Sequence, residues 1–325
     1  MTEGRSCPLA YRYRPEDLCN DPQPADADVL YIIGGLYGNA LALDEIERLA
    51  RLEEQQGRRV RLVFNGDFNW FNADDALFRE INTRVLGHTV SLGNVEYELA
   101  NPSDGAGCGC AYPEFVDQGV VDRSNRIMER LQTVANRHPD LQQQLSDLPR
   151  YRCLIFGGLK VLILHGDPKS LAGWGLAHES FSAAKNSPGS SEAQGVARVE
   201  QWLALTGADL IACTHTCLPV LWQGSVGQRR RVVVNNGSAG MGNLQGDARG
   251  LITRIGLSAP EQSVIDAALG AVSVSLQPVA FDPGAWLERF DRIWPAGSDA
   301  ALSYRQRLAD GTSLRPEQAS FMSIS

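Results

Sequence analysis

Short apolar runs that close on glycine, asparagine or aspartate recur along the first third of the chain. VLYIIGG (29–35) ends on two glycines, VRLVFNGD (60–67) on Asn-Gly-Asp and HTVSLGN (88–94) on Gly-Asn. Each is short and rich in β-branched residues, the pattern of a buried strand entering a polar turn. Between them, Leu41, Leu43, Ile46 and Leu49 recur among charges, and residues 73–85 carry a similar pattern, so helices are expected there. Strands alternating with helices predict an α/β core, with the C-terminal ends of the strands building a site.

The pattern changes in the middle. NPSDGAGCGCAYPEF (101–115) reads as a Gly-rich loop, and 119–148 reads as helical, with Val121, Ile127, Leu131 and Val134 on roughly one face. Residues 99–150 are therefore expected to form a helical cap inserted over the core, setting substrate size. RCLIFGGLKVLILHGD (152–167) reads as two strands joined at Gly157-Gly158. Helices are expected over 174–185 and 193–206, separated by the loop NSPGSS, and strands over 208–216, 217–223, 230–238, 250–257 and 272–281. Mixed α/β followed by consecutive strands implies either one sheet with antiparallel additions or two packed sheets. The polar, proline-bearing residues 1–28 read as an arm laid over a main domain of 29–282. The tail, 283–325, reads as a helical extension beyond the core.

Composition narrows the class. With 43% apolar residues the chain is globular, and no apolar stretch approaches the roughly 18 residues of a membrane span. The first residues carry no apolar signal segment, so a cytoplasmic location is expected. Seven scattered cysteines, an odd count, argue against a disulfide framework. The net charge of −8 disfavours non-specific nucleic-acid binding. A small anionic substrate stays compatible with it, because a bound metal reverses the local field.

Candidate chemistry collects at four strand ends: Asp67 in FNGD, Asn94 in LGNVE, His165 in LHGD and His215 in THTC. Only five histidines occur, and two of them directly follow strong strands. One carboxylate, one amide oxygen and two imidazoles suit a divalent transition metal such as Mn²⁺, Fe²⁺ or Zn²⁺. Taken singly, each turn has an ordinary structural explanation, since Asp and Asn commonly end strands.

The order of these motifs resembles the calcineurin-like metallophosphoesterases, whose pattern runs D-x-H-(G-N), G-D, G-N-H-(D/E), H-G and G-H-x-H. The corresponding stretches are GLYGNALALDEI (35–46), NGDFNW (65–70), GNVE (93–96), LHGDP (164–168) and THTC (214–217), followed by the glycine-serine turn VVNNGSAG (233–240). The resemblance spans about residues 29–257 and looks closest to the small bacterial phosphodiesterase-like branch. It implies a four-layer α-β-β-α sandwich of two packed mixed sheets. It also implies a dinuclear metal site in which Asp67 bridges and Asn94, His165 and His215 complete one metal's ligands. The second metal's remaining positions read Gly35, Tyr37 and Cys217, and the position of the family's catalytic histidine reads Val95. One intact metal site and a doubtful second are therefore expected.

Three readings follow. One metal suffices to hydrolyse a small phosphomonoester or phosphodiester with metal-activated water, Asp67 and Asn94 acting at the reacting centre. A second metal survives on Tyr37 and Cys217. Or catalysis is lost and the cleft binds a nucleotide, a metabolite or a protein. With Val95 in place of an imidazole, activated aryl esters should be favoured over alkyl esters.

Other residues have competing explanations. Cys108 and Cys110 form CGC, half of a metal site or a plain loop. Cys213 reads as core. QRRR (228–231) is a phosphate patch or a solvated hairpin turn. His178 reaches the site or caps the surface. Glu96 is expected to orient a ligand or a backbone amide. Trp70 and Phe71 stack on a ligand or pack in the core. Asn39 is expected to cap its helix and face the anion pocket.

Overall fold

The computed structural model describes residues 3–182 and 191–322. In chain order its first half runs β1 (Gln23–Pro24), β2 (Val29–Ile33), α1 (Ala40–Gln55), β3 (Val60–Phe64), α2 (Asp75–Val85), β4 (Thr89–Val90), α3 (Asn94–Ala100), α4 (Gln118–Ala135) and α5 (Pro139–Ser146). The second half runs β5 (Tyr151–Phe156), β6 (Leu159–Leu164), α6 (Glu179–Ser182), α7 (Ser191–Thr206), β7 (Leu210–Cys213), β8 (Pro219–Val226) and β9 (Arg229–Asn236). It continues through β10 (Gly250–Gly256), β11 (Ile265–Leu269), β12 (Val272–Val279), α8 (Pro283–Ile293), α9 (Asp299–Asp310) and β13 (Ser320–Met322).

Two mixed sheets result, in the orders β11-β12-β10-β2-β3-β4 and β1-β5-β6-β7-β9-β8-β13. In the first, β2 pairs in parallel with β3 and antiparallel with β10. Strand alternation sends one set of apolar side chains to each face. Leu30, Ile32, Val63, Ile255 and Val274 of the first sheet meet Leu154, Val161, Ile163, Leu210 and Val232 of the second in one buried layer. The opposite face of the first sheet, through Val29, Tyr31 and Phe64, packs on α1, α2, α4, α5, α8 and α9. The outer face of the second sheet packs Leu162, Leu164, Ile211 and Val233 against Val199, Trp202 and Leu203 of α7. Helix, sheet, sheet and helix therefore stack in four layers, as the resemblance implied.

Several elements differ from the sequence reading. The strand expected over 88–94 pairs only at β4, because the chain turns at once into α3. The helical stretch 119–148 divides into α4 and α5, where Pro139, lacking an N–H, can only start a new helix. The helix expected over 174–185 is confined to α6; residues 183–185 and the expected NSPGSS loop, through 190, lie outside the described residues. β1, β11 and β13 add edge strands that no strong apolar run announced.

The tail was expected to lie beyond the core, and it does not. Trp286 and Phe290 of α8, Trp294, and Ala300 and Leu308 of α9 are buried in the same cluster as α1 and α2. Trp294 also donates its indole N–H to the Phe71 carbonyl, 3.1 Å away. A second difference concerns the CGC loop, where Cys108 and Cys110 form a disulfide across Gly109. The sulfurs of Cys7, Cys19, Cys153, Cys213 and Cys217 are free.

Candidate metal centre

Asp67 follows β3, Asn94 opens α3 just after β4, His165 follows β6 and His215 follows β7. The first two lie at the end of one sheet and the histidines at the end of the other, so the sandwich brings the four together. The approach is close: a Cβ on Gly66, whose φ is +103°, would lie 2.6 Å from the His165 ring. Any side chain there would push the two sheet ends apart.

Hydrogen bonding fixes which atoms face inward. His165 Nδ1 lies 2.8 Å from the Asn65 carbonyl, and a carbonyl can only accept, so Nδ1 carries the proton. In the neutral ring Nε2 is then a lone pair. His215 Nε2 likewise faces the Cys110 carbonyl at 3.1 Å, which leaves Nδ1 as its lone pair. The Asn94 amide donates to the Cys108 carbonyl at 3.0 Å and so aims its oxygen the other way. These atoms converge: His165 Nε2 lies 3.0 Å from His215 Nδ1, 3.0 Å from Asn94 Oδ1 and 3.4 Å from Asp67 Oδ1. Asp67, His165 and His215 form a group that could hold a metal ion, with their ligand atoms all within 4.8 Å of one another. Four unprotonated lone pairs, one of them on the Asp67 carboxylate, fit a cation, and the oxygen–nitrogen donor set suits a divalent transition metal.

Without a metal, a proton takes that place. Burial opposes charge on His165, but the Asp67 carboxylate outweighs it and raises the imidazole above its usual value. Burial likewise works against ionised Asp67, and His165 and His215 hold its carboxyl below the usual range. His215 is pushed down to about 3 by burial and by the neighbouring His165. The pair thus shares one proton, held on His165.

Glu96 orients the backbone, as expected. It accepts the amides of Asp67, Phe68 and Asn69 at 2.8, 3.0 and 3.1 Å and closes the turn carrying Asp67. Its own acidity is pushed to about 7 by burial and by Asp67.

Gly35, Tyr37 and Cys217 also come together. The Tyr37 hydroxyl and the Cys217 sulfur are 2.6 Å apart. A side chain at Gly35 would run into the Tyr37 ring, whose nearest atoms stand 3.1 Å from where its Cβ would lie. Burial and Cys217 raise the phenol, and burial raises the thiol, so both keep their protons. Tyr37, Asp67 and Cys217 all hold positive φ (54°, 56° and 61°), which concentrates backbone strain at this site.

Above these groups lies a cavity of about 160 Å³. Asp67, Asn94, His215, Tyr37 and Cys217 line it, with Val95, Trp70, Cys110, Tyr112, Trp174, Thr216 and Tyr304. The sequence reading missed Tyr112, Trp174, Thr216 and Tyr304 as wall residues. Trp174 follows the HGDP turn closely and could have been suspected, whereas Tyr304 sits on a tail helix with no motif near it.

One expected placement, that of Asn39, is corrected, and two open ones are resolved. His178 is not a wall residue: its Nε2 faces the Gln318 carbonyl at 2.9 Å and its ring packs on Phe321. Asn39 caps α1 by accepting the Ala42 amide at 3.0 Å, but its amide is spent on the Gly240 carbonyl and it does not face the cavity. Phe71 is core, packed against Phe290.

No protein-family model matches the chain, and no curated protein matches it. Among solved structures it is similar to a metallophosphoesterase from Sphaerobacter thermophilus, 17% identical, over 88% of this chain and 100% of that one, with a TM-score of 0.53. It is similar to the same degree, TM-score 0.53, to a hypothetical protein from Pyrococcus horikoshii OT3, 14% identical, over 88% of this chain and 99% of that one. At these identities the likeness establishes the fold alone, one that this chain shares with that metallophosphoesterase. No helix among the described residues is long and apolar enough to cross a membrane.

Proposed function

We propose that the protein hydrolyses a small phosphoester with one divalent transition metal held by Asp67, Asn94, His165 and His215. The observation that carries this reading is the convergence of four lone pairs on one point, 3.0–3.4 Å from His165 Nε2. When bound, such a metal supplies Lewis acidity toward phosphoryl oxygen and makes water more acidic.

The chain's own groups divide the remaining work. Among the described residues no Lys or Arg lines the cavity, and Asp67 is its one carboxylate. A phosphate meets the Asp67 carboxylate there, and a bound metal offsets that charge, so anion binding and metal binding are coupled. Asp67 neutralises part of the cation's charge, and Glu96 keeps its turn in place through three backbone amides. The Asn65 and Cys110 carbonyls hold both imidazoles in the ligating tautomer. Val95 offers no proton to a leaving group. The Tyr37–Cys217 pair fills the positions where the family resemblance puts the second metal's ligands, and with the thiol donating to the His215 carbonyl at 3.2 Å the phenol donates to the sulfur.

The test is turnover of phenyl phosphate by the full chain loaded with Mn²⁺, Fe²⁺ or Zn²⁺, with chelated protein and His165→Gln as controls. Metal-dependent turnover lost in both controls supports the reading. Bound metal without turnover of any ester supports the alternative, a ligand-binding protein on the same fold. That alternative is favoured by Val95 and by the sealed Tyr37–Cys217 pair.

A further inference from the structure

The cavity walls are aromatic and come from four separate segments: Trp70 after Asp67, Tyr112 in the loop after Cys110, Trp174 after the HGDP turn and Tyr304 on α9. The ring centroids of Tyr112 and Trp174 are 5.7 Å apart, those of Trp70 and Tyr304 6.4 Å, and those of Trp174 and His215 5.7 Å. The walls therefore continue down to a metal-ligand candidate.

Two of the four walls, Tyr112 and Trp174, have their polar tips spent inside the protein. The Trp174 indole donates to the Cys110 carbonyl at 2.9 Å, and the Tyr112 hydroxyl pairs with Ser124 Oγ at 3.0 Å. Tyr37 is paired with Cys217, and Thr216 Oγ1 accepts from the Asn235 amide at 2.9 Å. What these residues offer a ligand is ring surface. The cavity is thus polar at the metal end and π-faced elsewhere. It resembles a mould for a molecule with one charged end and one flat apolar end.

Resting on the hydrolytic reading above, we infer that the substrate is a small aryl phosphate, with its ring between these walls and its phosphate at the metal, and that sugar phosphates and nucleotides are excluded. Three independent features agree. The sugar hydroxyls of a nucleotide would find few free partners, and each unpaired group costs about tenfold or more in affinity. A cavity of about 160 Å³ lies below the roughly 300–1,000 Å³ of sites for larger ligands, so one ring and one phosphorus fit and a nucleotide does not. Val95 supplies no proton, a lack worth roughly 10²–10⁴-fold for a poor leaving group and little for a phenolate, which departs as a stabilised anion.

The experiment separates recognition from turnover. Phenylphosphonate and methylphosphonate, which cannot be hydrolysed at the P–C bond by this chemistry, are titrated calorimetrically into the metal-loaded full chain. The expected result is phenylphosphonate binding about tenfold or more tighter, with the margin lost in Tyr112→Leu and in Tyr304→Leu while methylphosphonate affinity holds. Two variants on different elements are used so that misfolding of one does not decide the matter, and the melting temperature of each is recorded. Equal affinities for the two phosphonates overturn the inference, as does tighter binding of phosphocholine, which would mean that the rings cage a cation. A turnover panel of phenyl phosphate, glycerol phosphate and AMP runs in parallel. No turnover at all with the phenyl margin intact sinks the hydrolytic reading and keeps the aryl site. Turnover of glycerol phosphate or AMP at the rate of phenyl phosphate does the reverse.

Discussion

Asp67 has two sets of neighbours, and they have met the same crowding in opposite ways. His165, His215 and Asn94 turn lone pairs toward one another at 3.0 Å, an arrangement that needs a cation or a proton between them. Tyr37 and Cys217 face each other at 2.6 Å with a proton already available on each, and they need nothing. Asn94, His165, His215 and Tyr37 are buried and Cys217 is partly so, and positive φ is confined to Asp67 and to the Tyr37–Cys217 side. What separates them is the inventory of protons, which carbonyl partners fix on one side and mutual pairing fixes on the other. Proximity of ligand-capable atoms is thus a poor guide to metal binding until the donors and acceptors are counted.

The largest expected effect comes from removing a ligand on the open side. Asp67→Ala should lower metal affinity by more than about 100-fold, and His215→Ala by somewhat less, because a carboxylate also neutralises charge. Isothermal titration with Mn²⁺ measures both. Tyr37→Phe and Cys217→Ser should leave that affinity within about threefold, and a comparable loss in either would show that the closed side also binds metal.

Next comes the loop that holds two ligands by their far ends. The Cys108 and Cys110 carbonyls accept from Asn94 and His215, so loosening the CGC turn should misorient both. The double substitution Cys108→Ser, Cys110→Ser should lower metal affinity about tenfold with the fold retained, as circular dichroism would report. Unchanged affinity would leave the loop with no part in positioning the centre.

A smaller effect distinguishes the two sets by pH. In metal-free protein His165 is raised, so its contribution to stability is present below about pH 6.5 and is lost as pH rises through its higher folded value. Glu96, pushed up to about 7, adds to the same slope, since the unfolded chain ionises it near pH 4.3 while the folded protein resists. His215, pushed down to about 3, acts oppositely below about pH 6.5, where the unfolded chain protonates it and the folded protein does not, so the melting temperature of metal-free protein should fall between about pH 6.5 and 8. A bound cation replaces the His165 proton and favours ionised Glu96, so metal-loaded protein should not share the fall. Parallel curves for the two forms would refute the shared-proton picture.

Smallest is the cost of the closed pair itself. Tyr37→Phe removes one hydrogen bond from a buried thiol and should destabilise the protein by about 1 kcal/mol in urea unfolding. A loss above about 3 kcal/mol would mean that the pair has a further role.

The legible part of this site is the part built by strand ends. Asp67, His165 and His215 follow β-branched runs directly, and the polar turn after each run is visible in the sequence. The sandwich then follows from which faces those runs must bury. The walls were not legible in this way. Tyr304 reaches the cavity because α8 and α9 bury Trp286, Phe290 and Leu308 against the first sheet, a tertiary choice that no local pattern near Tyr304 signals. His178, open between the site and the surface in the sequence, was ambiguous for the opposite reason. It follows the HGDP turn closely in sequence, but its ring packs on Phe321 beside β13 and away from the metal end.

The claim on which the rest depends is that one side of Asp67 binds metal and the other does not. Elemental analysis of the full chain, purified without chelator and equilibrated with Mn²⁺, counts this directly. The account predicts about one metal per chain, falling to none in the double variant Asp67→Ala, His165→Ala. Two tightly bound metals per chain, or one that survives that double substitution, would contradict it.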